Sequence, residues 1–170
     1  MSLSELSLAC RVRGCLLAGA LGDALGAPIE FLQWPAIRAK WGPRGLTHLE
    51  PAYGVVGARG AITDDTQMTL FTVEGLIRAR VRSGAEGIGH PPAVVHHAYR
   101  RWLWTQGGSW QAAGQGMGSA EPQEPDGWLA RQRFLHARRA PGNTCLGALQ
   151  SRSALGDPAR NDSKGCGGVM

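Results

Sequence analysis

Apolar side chains recur at helical spacing through stretch after stretch of this chain, and nowhere do they alternate with polar ones as a half-buried strand requires. In residues 5–25, ELSLACRVRGCLLAGALGDAL, the apolar positions fall at 8, 12, 15, 16 and 19–21, close to the period of one helix face. Between residues 64 and 82, Met68, Leu70, Phe71, Val73, Leu76 and Ile77 form a broad apolar stripe. Arg78, Arg80 and Arg82 follow near its end, where cations suit the helix dipole. PPAVVHHAYRRWLWTQG predicts a further helix that starts at Pro92 and turns Val94, Val95, Ala98, Trp102 and Leu103 to one side. GWLARQRFLHARR predicts another, and PGNTCLGALQSR restarts one with Asn143 or Thr144 as its cap. The expected fold class is all-α.

Breaks between these segments are explicit. Gly26 can stop the first helix and Pro28 prevents its simple continuation. Residues 32–63 are loop-rich, apart from a short helix expected at WPAIRAKWG with Pro35 in its first turn. Residues 106–126 and the end of the chain are polar and rich in Gly and Pro, hence loop. Gly14, Gly19 and Gly22 lie on or near the apolar face of the first segment. Glycine costs roughly 1 kcal/mol inside a helix, so these three predict close packing against another backbone.

With 170 residues, 43% of them hydrophobic and 18% charged, the chain has material for one core. Its net charge of +5 comes mostly from RVR, YRRW and RQRFLHARR. These runs predict solvated helix faces, since no aromatic-interleaved basic stripe marks a nucleic-acid groove. The four cysteines form no CxxC pair, so neither a zinc site nor a dithiol redox motif is signalled. The N-terminus lacks a secretory pattern, and no apolar run nears the ~20 residues that span a bilayer. A cytoplasmic protein with reduced thiols and no membrane partner is the expectation.

Chemistry concentrates in three places. In GAITDDTQMTLF, Asp64 and Asp65 stand between Thr63 and Thr66 at the mouth of the apolar stripe. Asp64 as helix cap would put Gln67 three residues on, in the manner of a capping box. That accounts for one carboxylate and leaves the second only a favourable place in the helix field. A metal would use both. Consecutive helical residues point about 100° apart, so the pair suits two neighbouring cations better than one. Thr63 would add an oxygen, and an all-oxygen donor set favours Mg²⁺ or Mn²⁺ over zinc. The helix N-terminal field should also bias both aspartates toward the ionised form.

In GDALGAPIEF, Asp23 sits inside an otherwise apolar, glycine-rich run, and Glu30 follows the Gly-Pro break. A carboxylate placed like Asp23 must be hydrogen-bonded or functional, because burying it unpaired is costly. In NDSKGCGGVM, Gly165, Gly167 and Gly168 permit close backbone approach, while Ser163 and Lys164 offer a hydroxyl and a cation. Such a loop could cradle phosphate or ribose, although it lacks the Walker spacing. His96 and His97 diverge on their helix and make a poor chelating pair.

Taken in order, RGCLLAGALGDALGAPIEF, GAITDDTQMTLF, RAPGNTCLGAL and NDSKGCGGVM resemble the ADP-ribosylglycohydrolase family, which includes the dinitrogenase reductase-activating glycohydrolases. The resemblance runs from Arg11 across nearly the whole chain. It implies an all-α fold around a binuclear Mg²⁺ or Mn²⁺ centre. It also implies hydrolysis of the glycosidic bond joining ADP-ribose to a protein side chain, or of related small ADP-ribosyl compounds. Carried over by motif, Thr63, Asp64 and Asp65 are similar to metal ligands, and Glu30 to the mobile acidic residue near the scissile bond. Asp23 falls in the same motif as a structural support. The loop Ser163, Lys164, Gly165, Cys166, Gly167 and Gly168 is similar to the segment that contacts ADP-ribose. The family pattern then continues into an Arg and a second acidic cluster, Asp-x-Asp-Thr or -Ser, whereas this sequence stops at Met170. The expectation is that residues 1–170 are the N-terminal part of a single domain, truncated on the C-terminal side, with half the metal ligands missing. A non-catalytic ADP-ribose-binding protein is the alternative.

Overall fold

A computed structural model describes residues 7–52, 59–86, 90–110 and 125–151. Helix α1 (Leu8–Gly26) opens at Ser7, whose side chain accepts the Cys10 N–H, and closes where the Ala27 N–H returns to the Asp23 carbonyl. Pro28 then turns the chain away, as the sequence predicts. Helix α2 (Trp34–Trp41) carries Pro35 in its first turn and ends at Gly42, whose φ of 79° only glycine adopts readily. Helices α3 (Asp64–Glu86) and α4 (Pro91–Thr105) hold most of the buried surface, and α5 (Asn143–Gln150) completes the set. The described residues contain no β-strand, and none of their helices is long and apolar enough to cross a membrane.

The core lies where α3 meets α4. Met68 and Phe71 from α3 pack with Ala98, Trp102 and Leu103 from α4, and Leu129, Leu135, Cys145 and Leu149 cover them. Two glycine expectations change here. A Cβ on Gly14, Gly19 or Gly22 would meet nothing within 4 Å, so these glycines mark no close approach among the described residues. The close approach is at Gly75, where a Cβ would stand 2.8 Å from the Val95 Cα. Among the described residues, helix α1 packs chiefly on α3. Ala24 is its one buried residue, and Leu8 and Leu17 are exposed at 69% and 71%. On α3, Leu76 and Ile77 also face outward rather than joining the core.

Two other expectations are corrected. Residues 127–139 form two 3₁₀ turns, Leu129–Arg131 and Arg133–His136, rather than one helix. Gln132 between them is extended, and the Leu135 and Ala137 carbonyls bond to the Gln67 side-chain amide instead of to later backbone N–H groups. The YRRW run is not a solvated face, because Arg100 and Arg101 are buried. Arg101 and Arg78 share the Asp126 carboxylate, and Arg78 also pairs with Glu74 one turn earlier. Arg78 therefore serves this network, which ties the 125–127 segment to α3 and α4, and not the helix terminus, which lies further on at Glu86.

Candidate functional site

Four backbone N–H groups at the start of a helix have no partner within it. At α3 these belong to Thr63, Asp64, Asp65 and Thr66, and each finds an acceptor elsewhere. Thr63 N and Thr66 N donate to the Asp23 carboxylate of α1, at 2.8 and 3.3 Å. Asp64 N donates to the Arg139 carbonyl at 3.0 Å, and Asp65 N to the Thr63 hydroxyl at 3.2 Å. None of the four depends on Asp64 or Asp65 for its acceptor, although the Asp64 N–H also favours ionisation of its own side chain. The capping box expected from Asp64 and Gln67 is thus absent. Its place is taken by an acid 40 positions away, whose oxygens also accept the hydroxyls of Thr63 and Thr66. Asp23 is the support that joins α1 to α3.

Asp64 and Asp65 are left over from capping, and they diverge as the helical step requires. Asp64 turns toward α5, where its Oδ2 accepts the Gly142 N–H at 3.0 Å. That bond occupies the N-cap position of α5, which has no side-chain cap from Asn143 or Thr144. Asp65 turns toward α1, onto a cavity of about 350 Å³ lined also by Cys15, Leu16, Ala20, Asp23 and Leu70. Its carboxylate accepts no hydrogen bond among the described residues. Glu30 stands exposed in the turn that follows α1, within the electrostatic field of Asp65 and Asp23.

Among the described residues no ion pair neutralises Asp23, Glu30, Asp64 or Asp65. The consequences are legible in their acidities. Burial, opposed by the Gly142 N–H and reinforced by Asp65 and Asp23, pushes the Asp64 carboxyl up to about 6. Burial and Asp23 raise Asp65, and burial, Asp65 and Asp23 raise Glu30. The helix field was expected to favour ionisation at Asp64 and Asp65. Desolvation and the charge of neighbouring acids, Asp23 foremost at Asp65 and Asp65 at Asp64, outweigh it.

The structure adds neighbours that the sequence did not single out. Cys145 is buried beside the cluster, its thiol pushed up by burial and then by Asp64 and Asp65. Arg139 and Gly142 meet Asp64 through backbone groups only, which no side-chain pattern announces. Ser163–Gly168 lie outside the described residues. No group of three His, Cys, Asp or Glu side chains is drawn together tightly enough to hold a metal among the described residues. The donor chemistry nevertheless fits a hard cation: clustered, uncompensated oxygen donors on separate faces of one helix start.

An all-helical protein with an acidic site at a helix N-terminus, braced by a carboxylate from a neighbouring helix, is the class that fold and site define. The family profile for ADP-ribosylglycohydrolase matches residues 4–170, and the chain belongs to that family. No curated protein and no solved structure matches it. The all-α architecture agrees with the family's fold, and membership assigns a glycohydrolase type of function in general terms.

Proposed function

We propose that this chain carries acidic residues of a metal-dependent ADP-ribosylglycohydrolase site, acting on ADP-ribosylated protein side chains or related ADP-ribosyl compounds. One observation carries the reading: every free N–H at the start of α3 is satisfied without Asp64 or Asp65, so capping of α3 does not account for these two carboxylates, and only one oxygen of Asp64 is taken up at α5. Asp64, Asp65 and the Thr63 hydroxyl are the residues that would hold Mg²⁺ or Mn²⁺. Bound there, the ions would supply positive charge against the negative charge that develops on the reacting oxygens.

The protein's own groups divide the remaining work. Asp23 fixes where α3 begins and so fixes the direction of both aspartates. Gly142 holds one oxygen of Asp64 and leaves the other free to ligate. Glu30 is exposed, lies within the field of Asp65 and Asp23, and has its carboxyl raised by burial and by those two acids, which suits a group that exchanges a proton. Ser163–Gly168 would contact the ADP-ribose.

The test is Mn²⁺ binding by electron paramagnetic resonance, followed by hydrolysis of an ADP-ribosylated peptide by the wild-type chain and by Glu30→Gln. Hydrolysis should fall at least about a hundredfold in the variant, with ADP-ribose binding changed by less than about threefold. ADP-ribose binding without metal dependence or turnover would favour a non-catalytic binding protein.

A further inference from the structure

Gln67 stands one turn beyond Asp64 on α3, and its side chain makes four hydrogen bonds. It is fully buried. Its Oε1 accepts the Trp102 indole N–H and the Gln106 amide, each at 3.1 Å. Its Nε2 donates to the carbonyls of Leu135 and Ala137, at 3.3 and 3.1 Å. Two donor hydrogens and two acceptor lone pairs are all a glutamine side chain has. All four are used.

The carbonyls it holds belong to a run with a simple rule. Leu135, Ala137 and Arg139, at alternate positions, all offer their carbonyl oxygens to α3, the first two to the Gln67 amide and the third to the Asp64 N–H. Alternation of this kind is how an extended segment presents its backbone to one side. The segment makes few hydrogen bonds of its own: the 3₁₀ turn ends at His136, Ala137 is extended, and Ala140 has a positive φ of 53°. Its position is therefore set from outside, by Gln67, with help from Gln106 at Leu135 and from the Arg139 guanidinium at the Ile62 carbonyl. Three residues beyond Arg139, the same segment delivers the Gly142 N–H to the Asp64 carboxylate.

We propose that Gln67 is a positioning residue for Asp64: by fixing the 135–142 segment it sets both the backbone and the carboxylate of that aspartate in ligating position. This rests on the cation-binding reading of Asp64 given above. Groups that orient a ligand through a hydrogen bond commonly change metal affinity by about 10–100-fold when removed. A core glutamine with no such role would change stability alone.

The test compares two variants of the full chain. Gln67→Met keeps the length of the side chain and removes both donors to the segment. Trp102→Phe disturbs the same network from its acceptor side, taking one donor from Oε1 and leaving the bonds to Leu135 and Ala137 intact. Mn²⁺ affinity by electron paramagnetic resonance should fall about tenfold or more in Gln67→Met and stay within about twofold of wild type in Trp102→Phe. Equal affinity in Gln67→Met and wild type overturns the proposal, as does an equal loss in both variants. Hydrogen exchange on the wild-type chain reads the same coupling without any substitution. Saturating Mn²⁺ should slow the amides of 137–142, and binding that leaves them unchanged also overturns it. If the wild-type chain binds no Mn²⁺, the cation reading fails and this proposal fails with it, an outcome distinct from a loss confined to the positioning step.

Discussion

Replacing Asp64 by Asn should make the metal-free protein more stable at pH 8. The reason lies in what the ionised carboxylate meets: burial, Asp65 and Asp23 all oppose its charge, and the Gly142 N–H offsets them only in part. Its carboxyl is raised from 3.8 to about 6. Each pKa unit corresponds to about 1.4 kcal/mol, so ionised Asp64 costs up to about 3 kcal/mol relative to its neutral form. Asn keeps an oxygen for Gly142 and removes the charge, but its amide N–H₂ needs a partner beside Asp65. A net gain of about 1–2 kcal/mol remains, or about 2–8 °C in Tm for a chain of this size. The pH dependence follows in sign. Between about 4 and about 6 the unfolded chain has already lost this proton while the native chain retains it, so wild-type stability falls as pH rises through that window and then levels. Asp65 and Glu30, also raised, add slopes of the same sign. Thermal denaturation of both proteins from pH 4 to pH 8, with chelator present, checks this. An Asp64→Asn variant that is less stable than wild type at pH 8 would refute the reasoning, because it would show the charge to be satisfied.

Asp23→Ala should behave in the opposite way. It leaves two N–H groups and two hydroxyls at the start of α3 without their acceptor, and a loss of about 2–4 kcal/mol is expected from cap and charge-assisted bonds together. Urea denaturation measures it, and a loss below about 0.5 kcal/mol would mean that α1 does not brace α3. Gly75→Ala places a methyl group 2.8 Å from the Val95 Cα, so α3 and α4 must separate, at about 1–3 kcal/mol. The same substitution at Gly19, where a Cβ meets nothing within 4 Å, should stabilise by a few tenths to about 1 kcal/mol.

Helical periodicity carried most of the fold because α1, α3 and α4 satisfy their own backbone, and their ends are marked locally by Ser7, Gly26 and Pro91–Pro92. The pattern went wrong at 127–139 for a reason invisible in any local window. Whether GWLARQRFLHARR coils into a helix depends on who takes the Leu135 and Ala137 carbonyls, and the taker is Gln67, nearly seventy positions earlier (68 and 70). Glycine was misread for a similar reason: a glycine-rich face marks where backbones could approach, and only the partner helix decides where they do. At the site, the residues that carry side-chain chemistry were legible, since TDDT and the Glu30 turn announce themselves by charge in an apolar setting. Arg139 and Gly142 were not, because they act through backbone groups that every residue possesses.

The tetrapeptide Thr63–Thr66 shows why local sequence alone could not choose between a cap and a metal site. Both readings need carboxylates and hydroxyls at a helix start, so both predict the same letters. What separates them is an accounting of donors across the whole fold. Once Asp23 and the Thr63 hydroxyl have taken three N–H groups and the Arg139 carbonyl has taken the fourth, the start of α3 has no further use for the other two acids, and α5 uses one oxygen of Asp64 alone. Two adjacent carboxylates that have no ion pair among the described residues, and whose acidities are pushed up by burial and by neighbouring acids, lower the stability of the chain that keeps them. Charge arranged against stability in this way is the physical signature of a site built for something that arrives from outside. On the function proposed above, that something is a cation.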